Sequence, residues 1–186
     1  QSHIHAVIDT TQGERAIHRE VRASYRSLIN WGRAQLQMRY VNAGNPDRTL
    51  FDQMRAFHTQ ISGAGARGSQ YWEVYWNEIV TGRGEASLGF LDDGALAAGT
   101  AVVDAGGVSY YASGVYDREE FDKPLAHYPV YDSIVRAGQR GAILYDLGEV
   151  FPTGAADDKE GQIGFFKKGF TGAFRLRTSW SVPLSS

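Results

Sequence analysis

Tyr145-Asp146-Leu147-Gly148-Glu149, with Ile163-Gly164-Phe165-Phe166-Lys167-Lys168-Gly169-Phe170 close behind it, is the stretch whose reading decides the fold. Ala142 to Asp146 is a short continuous apolar run bounded by glycines, the pattern of a strand buried on both faces. Asp-Leu-Gly ends that strand at a sharp turn. The spacing I-x-x-F-K-x-G-F predicts a helix from about Asp158 to Lys168. Its last turn carries a cation, which the helix dipole favours, and Gly169 marks its end. Phe174 to Val182 then reads as a closing strand.

Working outward, the period before this stretch is that of an antiparallel meander. Glu85 to Leu91 is a strand, Asp92-Asp93-Gly94 a hairpin turn, and Leu96 to Val103 a second strand. Asp104-Ala105-Gly106-Gly107 turns the chain into a third strand, Val108 to Val115. A helix from about His127 to Gln139 carries Val130, Ile134 and Gly138 on one face. The first half is helical. Gln12 to Gln35 places Ile17, Val21, Tyr25, Leu28 and Gly32 on one face of a 3.6-residue period, with Thr10 or Thr11 as cap. Leu36 to Val41 is a short strand, and Asn42 to Asp47 is turn chemistry. Leu50, Met54, Phe57 and Ile61 mark a second helix, Ser62 to Ser69 a glycine-rich loop, and Tyr71 to Val80 a third helix. This order predicts an α/β fold, a mixed, mostly antiparallel sheet flanked by helices. No repeat or linker divides it, so residues 1–186 form one domain.

The bulk composition narrows the function classes. Of 186 residues, 42% are hydrophobic and 22% charged, as in a soluble globular protein with a sizeable core. A net charge of −2 carries no basic excess of the kind that attracts nucleic acid globally. The absence of cysteine excludes disulfides and thiolate metal sites. No apolar stretch reaches the ~18 residues that span a bilayer, and the expected location is cytoplasmic. His3 and His5 are spaced like metal ligands, but nothing near them in sequence completes a set, and no metal site is read.

Several pieces, in this order, carry a resemblance. They are Ser109-Tyr110-Tyr111-Ala112-Ser113-Gly114, His127-Tyr128-Pro129-Val130-Tyr131, the Asp-Leu-Gly segment and Phe-Lys-x-Gly-Phe. Together they resemble the C-terminal signature of the Fem-type (FemAB-like) aminoacyltransferases within the GNAT acyltransferase superfamily. The match is best from Gly84 to Phe174, and Arg22 to Gly32 is similar to the helical entry of a Fem-type second domain. The resemblance implies a GNAT-like fold and one half of a two-domain architecture. It also implies transfer of an acyl or aminoacyl group to an amino acceptor, with aminoacyl-tRNA or acyl-CoA as donor and a peptidoglycan (muropeptide) precursor as acceptor. One departure concerns coenzyme A. Where acyl-CoA-binding relatives carry Arg/Gln-x-x-Gly-x-Gly/Ala, this chain has Tyr116-Asp117-Arg118-Glu119-Glu120-Phe121-Asp122, acidic and without glycines. A backbone cradle for pyrophosphate is not evident there. The alternatives are an acyl-CoA-dependent N-acyltransferase and a non-catalytic GNAT-like binding or pairing module.

Aminolysis of an ester needs a neutral amine, a stabilised carbonyl oxygen and a proton route. Lys167, a compact charge on a flexible stem, is the candidate for charge stabilisation, and the resemblance puts Phe166-Lys167 at the active site. A solvated helix-end lysine is the alternative, and core packing is the alternative for Phe166. Asp146 and Glu149 sit at the carboxyl end of a buried strand, where ligand crevices form; Asp146 is the candidate proton acceptor unless it only caps the turn. Tyr110 and Tyr111 alternate across a strand, so one faces the core; either hydroxyl is a candidate donor, with core or surface packing as the alternative. His127 opens a helix as a candidate substrate contact or cap. Arg67 lies on the glycine-rich loop, suited to a phosphate or carboxylate of the acceptor, with a flexible solvated loop as the alternative. Finally, Arg15, Arg19, Arg22 and Arg26 fall within about 60° on one helical face, a basic stripe for a tRNA backbone or a solvated face.

Overall fold

The computed structural model describes residues 2–63, 67–120, 122–150 and 159–178. The elements run β1 (Ser2–Asp9), α1 (Glu14–Glu20), α2 (Ala23–Gln35), β2 (Gln37–Val41), α3 (Arg48–Ser62), α4 (Ser69–Val80) and β3 (Gly84–Phe90). They continue with β4 (Leu96–Ala105), β5 (Val108–Tyr116), α5 (His127–Gln139), β6 (Leu144–Glu149), α6 (Lys159–Lys167) and β7 (Phe174–Thr178). Among the described residues, seven strands form one sheet in the order β2-β3-β4-β5-β6-β1-β7. Every junction is antiparallel except β5 against β6, which is parallel. The expected mixed, mostly antiparallel sheet flanked by helices is the one found. The expected extensions to Asp158 and Val182 lie outside the described residues, as do parts of the loop after Ser62 and of the acidic segment.

Strand alternation sends side chains to opposite faces of the sheet, and each face has its own core. On the first, Ala6 and Ile8 of β1 and Tyr145 and Leu147 of β6 pack with Ile17, Tyr25, Ile29, Val130 and Ile134 from α1, α2 and α5. On the second, Ala86 and Leu88 of β3 and Ala101 of β4 lie beneath Phe51 and Met54 of α3 and Trp72 and Ile79 of α4. Burying each of these larger side chains is worth roughly 1.5–3 kcal/mol. Farther along the second face, β5, β6, β1 and β7 present Tyr110, Asp146, His5, Arg175 and Arg177, which line a shared cleft. The sheet is therefore apolar under its helices and polar at this end.

Three features depart from the sequence reading. First, the N-terminal strand β1, absent from that reading, sits between β6 and β7. Second, the helix expected over Gln12 to Gln35 is two helices, because Val21 and Arg22 are extended (ψ 135° at both). Tertiary bonds hold that break. The Arg22 amide donates to the Gly169 carbonyl at 2.8 Å, while Arg26 donates to the carbonyls of Val21 at 3.1 Å and Arg19 at 2.6 Å. The basic stripe is dismantled as a result. Arg26 caps α1, and the Arg22 guanidinium lies 4.1 Å from the Phe165 ring centroid. Third, β6 does not stop at Asp146 but runs through Gly148, whose φ of +84° turns the strand from within.

Candidate active site

Parallel pairing of β5 with β6 runs from Val108↔Leu144 to Tyr110↔Asp146. Beyond that pair both strands continue, to Tyr116 and Glu149, without pairing to each other among the described residues. A groove of about 350 Å³ opens on the β5 side of this parting, lined by Gly114, Tyr116, Asp117, Lys123, His127 and Phe166 among others. The far end of β6 is where the polar groups gather.

Lys167, in the last turn of α6, reaches that end. Its Nζ donates to the Glu149 carbonyl at 2.9 Å. Burial pushes the ammonium pKa below the ordinary lysine value, and Asp146 and Glu149 oppose that shift. A cation partly stripped of water, held by one carbonyl and two nearby carboxylates, is suited to meet a second oxygen on which negative charge develops. Gly148 makes the approach possible: a Cβ there would lie 3.2 Å from Nζ, and its positive φ disfavours any other residue.

Phe166 turns the other way, into an aromatic wall. Its ring meets His127 at 5.4 Å, Phe170 at 5.2 Å and Tyr25 at 6.0 Å, centroid to centroid. Gly169 has a different task from the one its position at a helix end suggests. It is not left-handed; a Cβ there would run into the Tyr25 ring. The Phe-Lys-x-Gly-Phe segment thus aims a cation at β6 and two phenylalanines at Tyr25. His127 stands edge-on to Tyr25 at 4.5 Å, its Nδ1 buried and without a partner among the described residues. Burial lowers the His127 pKa, favouring the neutral ring.

The carboxylates of β6 meet histidines that sequence reasoning set aside. Asp146, only 7% exposed, receives His5 Nδ1 at 2.9 Å from each of its oxygens and the Gly148 amide at 2.7 Å. His3 Nδ1 lies 2.6 Å from Glu149 Oε1. No carboxylate adjoins His3 or His5 in sequence; the sheet supplies one to each across β1 and β6. Among the described residues no group of three or more potential metal ligands forms. The signal that marks β1 is the alternation in Ser2-His3-Ile4-His5-Ala6-Val7-Ile8-Asp9, with Ile4, Ala6 and Ile8 inward.

The remaining candidates scatter. Tyr110 lines the cleft with Asp146, His5, Arg175 and Arg177. Tyr111 is turned to the core, its hydroxyl 3.0 Å from that of Tyr116, so it is a packing residue rather than a free donor. Arg67 stacks 4.5 Å from the Tyr71 ring centroid and donates weakly to the Ala112 carbonyl at 3.4 Å, at the edge of β5. In the acidic segment the chain serves itself: the Glu119 amide donates to Asp117 Oδ1, the Asp117 amide to the Ala97 carbonyl, and Lys123 pairs with Glu120.

No family model matches the chain, and no curated protein matches it in sequence. Solved structures do match in fold. FemX aligns over 93% of this chain and 59% of its own, with a TM-score of 0.77 and 16% identity. L-PGS from Bacillus licheniformis aligns over 95% of this chain and 60% of its own, with a TM-score of 0.64 and 11% identity. An aminoglycoside acetyltransferase from an uncultured soil metagenomic sample, solved with sisomicin, aligns over 82% of this chain and 99% of its own (TM-score 0.55, 11% identity). The chain has the GNAT-like fold of these proteins, and it spans about three-fifths of FemX and of L-PGS.

Proposed function

We propose that this chain is an acyl- or aminoacyltransferase domain that forms an amide on an amino acceptor. The observation that carries the reading is Lys167: a partly desolvated cation held at the parted end of a parallel strand pair, beside two carboxylates. In the proposed reaction the donor ester enters along the groove walled by Phe166 and His127, with its carbonyl oxygen toward Lys167. The acceptor amine attacks the carbonyl carbon, Lys167 stabilises the oxyanion, and collapse expels the donor alcohol. The acceptor amine approaches from the side of Asp146 and Glu149. Aminoacyl-tRNA is favoured over coenzyme A as donor, because the segment after β5 is acidic and its Asp117 and Glu119 amides already donate within the chain. A cell-wall muropeptide precursor is the acceptor that the Fem-type likeness suggests.

The test is a donor panel of aminoacyl-tRNAs, acetyl-CoA and longer acyl-CoAs against UDP-linked muropeptides and simple amines, read by product mass. Turnover is expected with a tRNA ester, and Lys167→Ala should lower it at least a hundredfold while melting normally. Lys168→Ala should retain it. Wild-type turnover by Lys167→Ala removes the proposed role of that lysine, and micromolar acetyl-CoA binding in competition with the donor reverses the donor preference.

A further inference from the structure

His5 is not used by the reading above, yet its surroundings fix its chemistry. A carboxylate only accepts hydrogen bonds, so the ring nitrogen that faces both oxygens of Asp146 carries the proton. The neutral ring therefore keeps its lone pair on Nε2. His5 and Asp146 line a cleft of about 190 Å³ together with Tyr110, Arg175 and Arg177. Arg175 pairs with His5 and Arg177 with His3 across β1 and β7, and the Arg177 guanidinium lies 5.9 Å from the Tyr110 ring centroid. Neither arginine forms an ion pair among the described residues, so both are available to an anion.

We propose that this cleft is the acceptor site, taking an amine that also carries a carboxylate or phosphate, and that His5 is the base that frees the amine. The anion is held by Arg175 and Arg177, and the ammonium lies against His5. Asp146 is a positioning residue: its two oxygens already accept from His5 and from Gly148, which leaves the proton to the imidazole. His5 Nε2 takes one ammonium proton and becomes an imidazolium facing Asp146. The neutral amine forms the C–N bond as the donor C–O bond breaks. The amine's second proton leaves with the expelled oxygen, and the imidazolium returns its proton to water. Geometry favours this side of the sheet, since Tyr110 and Asp146 are the last paired residues before β5 and β6 part. His3, Glu149 and Lys167 are the other titratable groups around the pair. The assignment of His5 as base rests on the transferase reading; the anion cleft does not.

Two measurements separate these claims. The first is histidine ¹⁵N NMR on the intact chain, with the His5 signal assigned through His5→Asn, which keeps a donor toward Asp146 but is no base. The Nδ1–H tautomer is expected. O-phosphoethanolamine or β-alanine should shift the His5 signal saturably, at least tenfold more tightly than ethanolamine, and Arg175→Gln with Arg177→Gln should abolish this. Whichever anionic amine binds tighter identifies the anion. An Nε2–H tautomer, ethanolamine binding as tightly, or no effect of the arginine changes overturns the proposal. The second measurement is turnover with the active donor. His5→Asn should lower kcat at least a hundredfold while the KM for the anionic amine changes little. Saturable, arginine-dependent binding without turnover from any donor would defeat the transferase reading and keep the cleft. Turnover lost in Lys167→Ala but kept in His5→Asn would keep the transferase and defeat the base.

Discussion

Two buried carboxylates on the same sheet are answered in opposite ways. Glu85 on β3, 1% exposed, accepts from Arg136 Nε at 2.7 Å, Arg140 at 2.8 Å and Asn42 at 2.9 Å. Arginines stay charged at every relevant pH, so this network has one state. Asp146 on β6 is almost as buried, but its partners are a histidine and a backbone amide, with Lys167 close by. Imidazole and ammonium groups, unlike guanidinium, can exchange protons, and a cleft adjoins them. Burial alone does not distinguish a structural carboxylate from a chemical one; the partner's capacity to change charge does.

The largest expected effect tests the structural half of that contrast. Glu85→Ala removes the carboxylate bonded to Arg136 on α5 and leaves Arg140, just past its end, with Asp104 alone, and should cost about 3 kcal/mol in denaturant unfolding. Activity per folded molecule should stay within about twofold. A stable Glu85→Ala protein without activity would move the chemistry to β3. Next comes Gly148→Ala, which forces a left-handed backbone onto alanine and crowds Lys167 Nζ. A stability loss of about 1–2 kcal/mol is expected, with turnover down roughly tenfold. Combined with Lys167→Ala it should cost no further turnover, because both act through one group.

The smallest effect concerns Asp132, which accepts from the Tyr40 hydroxyl at 3.1 Å. Burial pushes its carboxyl up to about 6, against the pull of the Tyr40 bond and Arg136. Its folded pKa stands above the unfolded value of 3.8. It therefore supports the fold at acid pH, and that support is lost as pH rises through about 6. Asp132→Asn keeps an acceptor for Tyr40. Its melting temperature should match wild type near pH 4 and rise by a few degrees near pH 8, on the order of 1 kcal/mol after solvent screening. Equal shifts at both pH values would contradict the assigned cause.

Much of this architecture is legible in local patterns. The meander, the helix His127–Gln139 and the division of Tyr110 and Tyr111 between two faces follow from period and turn chemistry. Lys167, Asp146 and Glu149 do gather, as their places at element ends suggest. What escaped has long-range causes. The break at Val21-Arg22 contains no glycine or proline; it is held by the Gly169 carbonyl and the Arg26 side chain. The two histidines were visible, but their partners lie 141 and 146 residues away. No local spacing encodes that pairing.

The position of β1 between β6 and β7 has a consequence for synthesis on the ribosome. β1 emerges before both of its neighbours, and its edges stay open until the last strands of the sheet are made. Loop closure over so long a chain makes this junction slow to form compared with the β3-β4-β5 meander, whose strands are neighbours in sequence. The meander can therefore condense early, while Asp146 waits for His5 to be captured. A nascent chain can thus hold the meander before the His5–Asp146 contact exists, and that contact waits for β6 to reach β1.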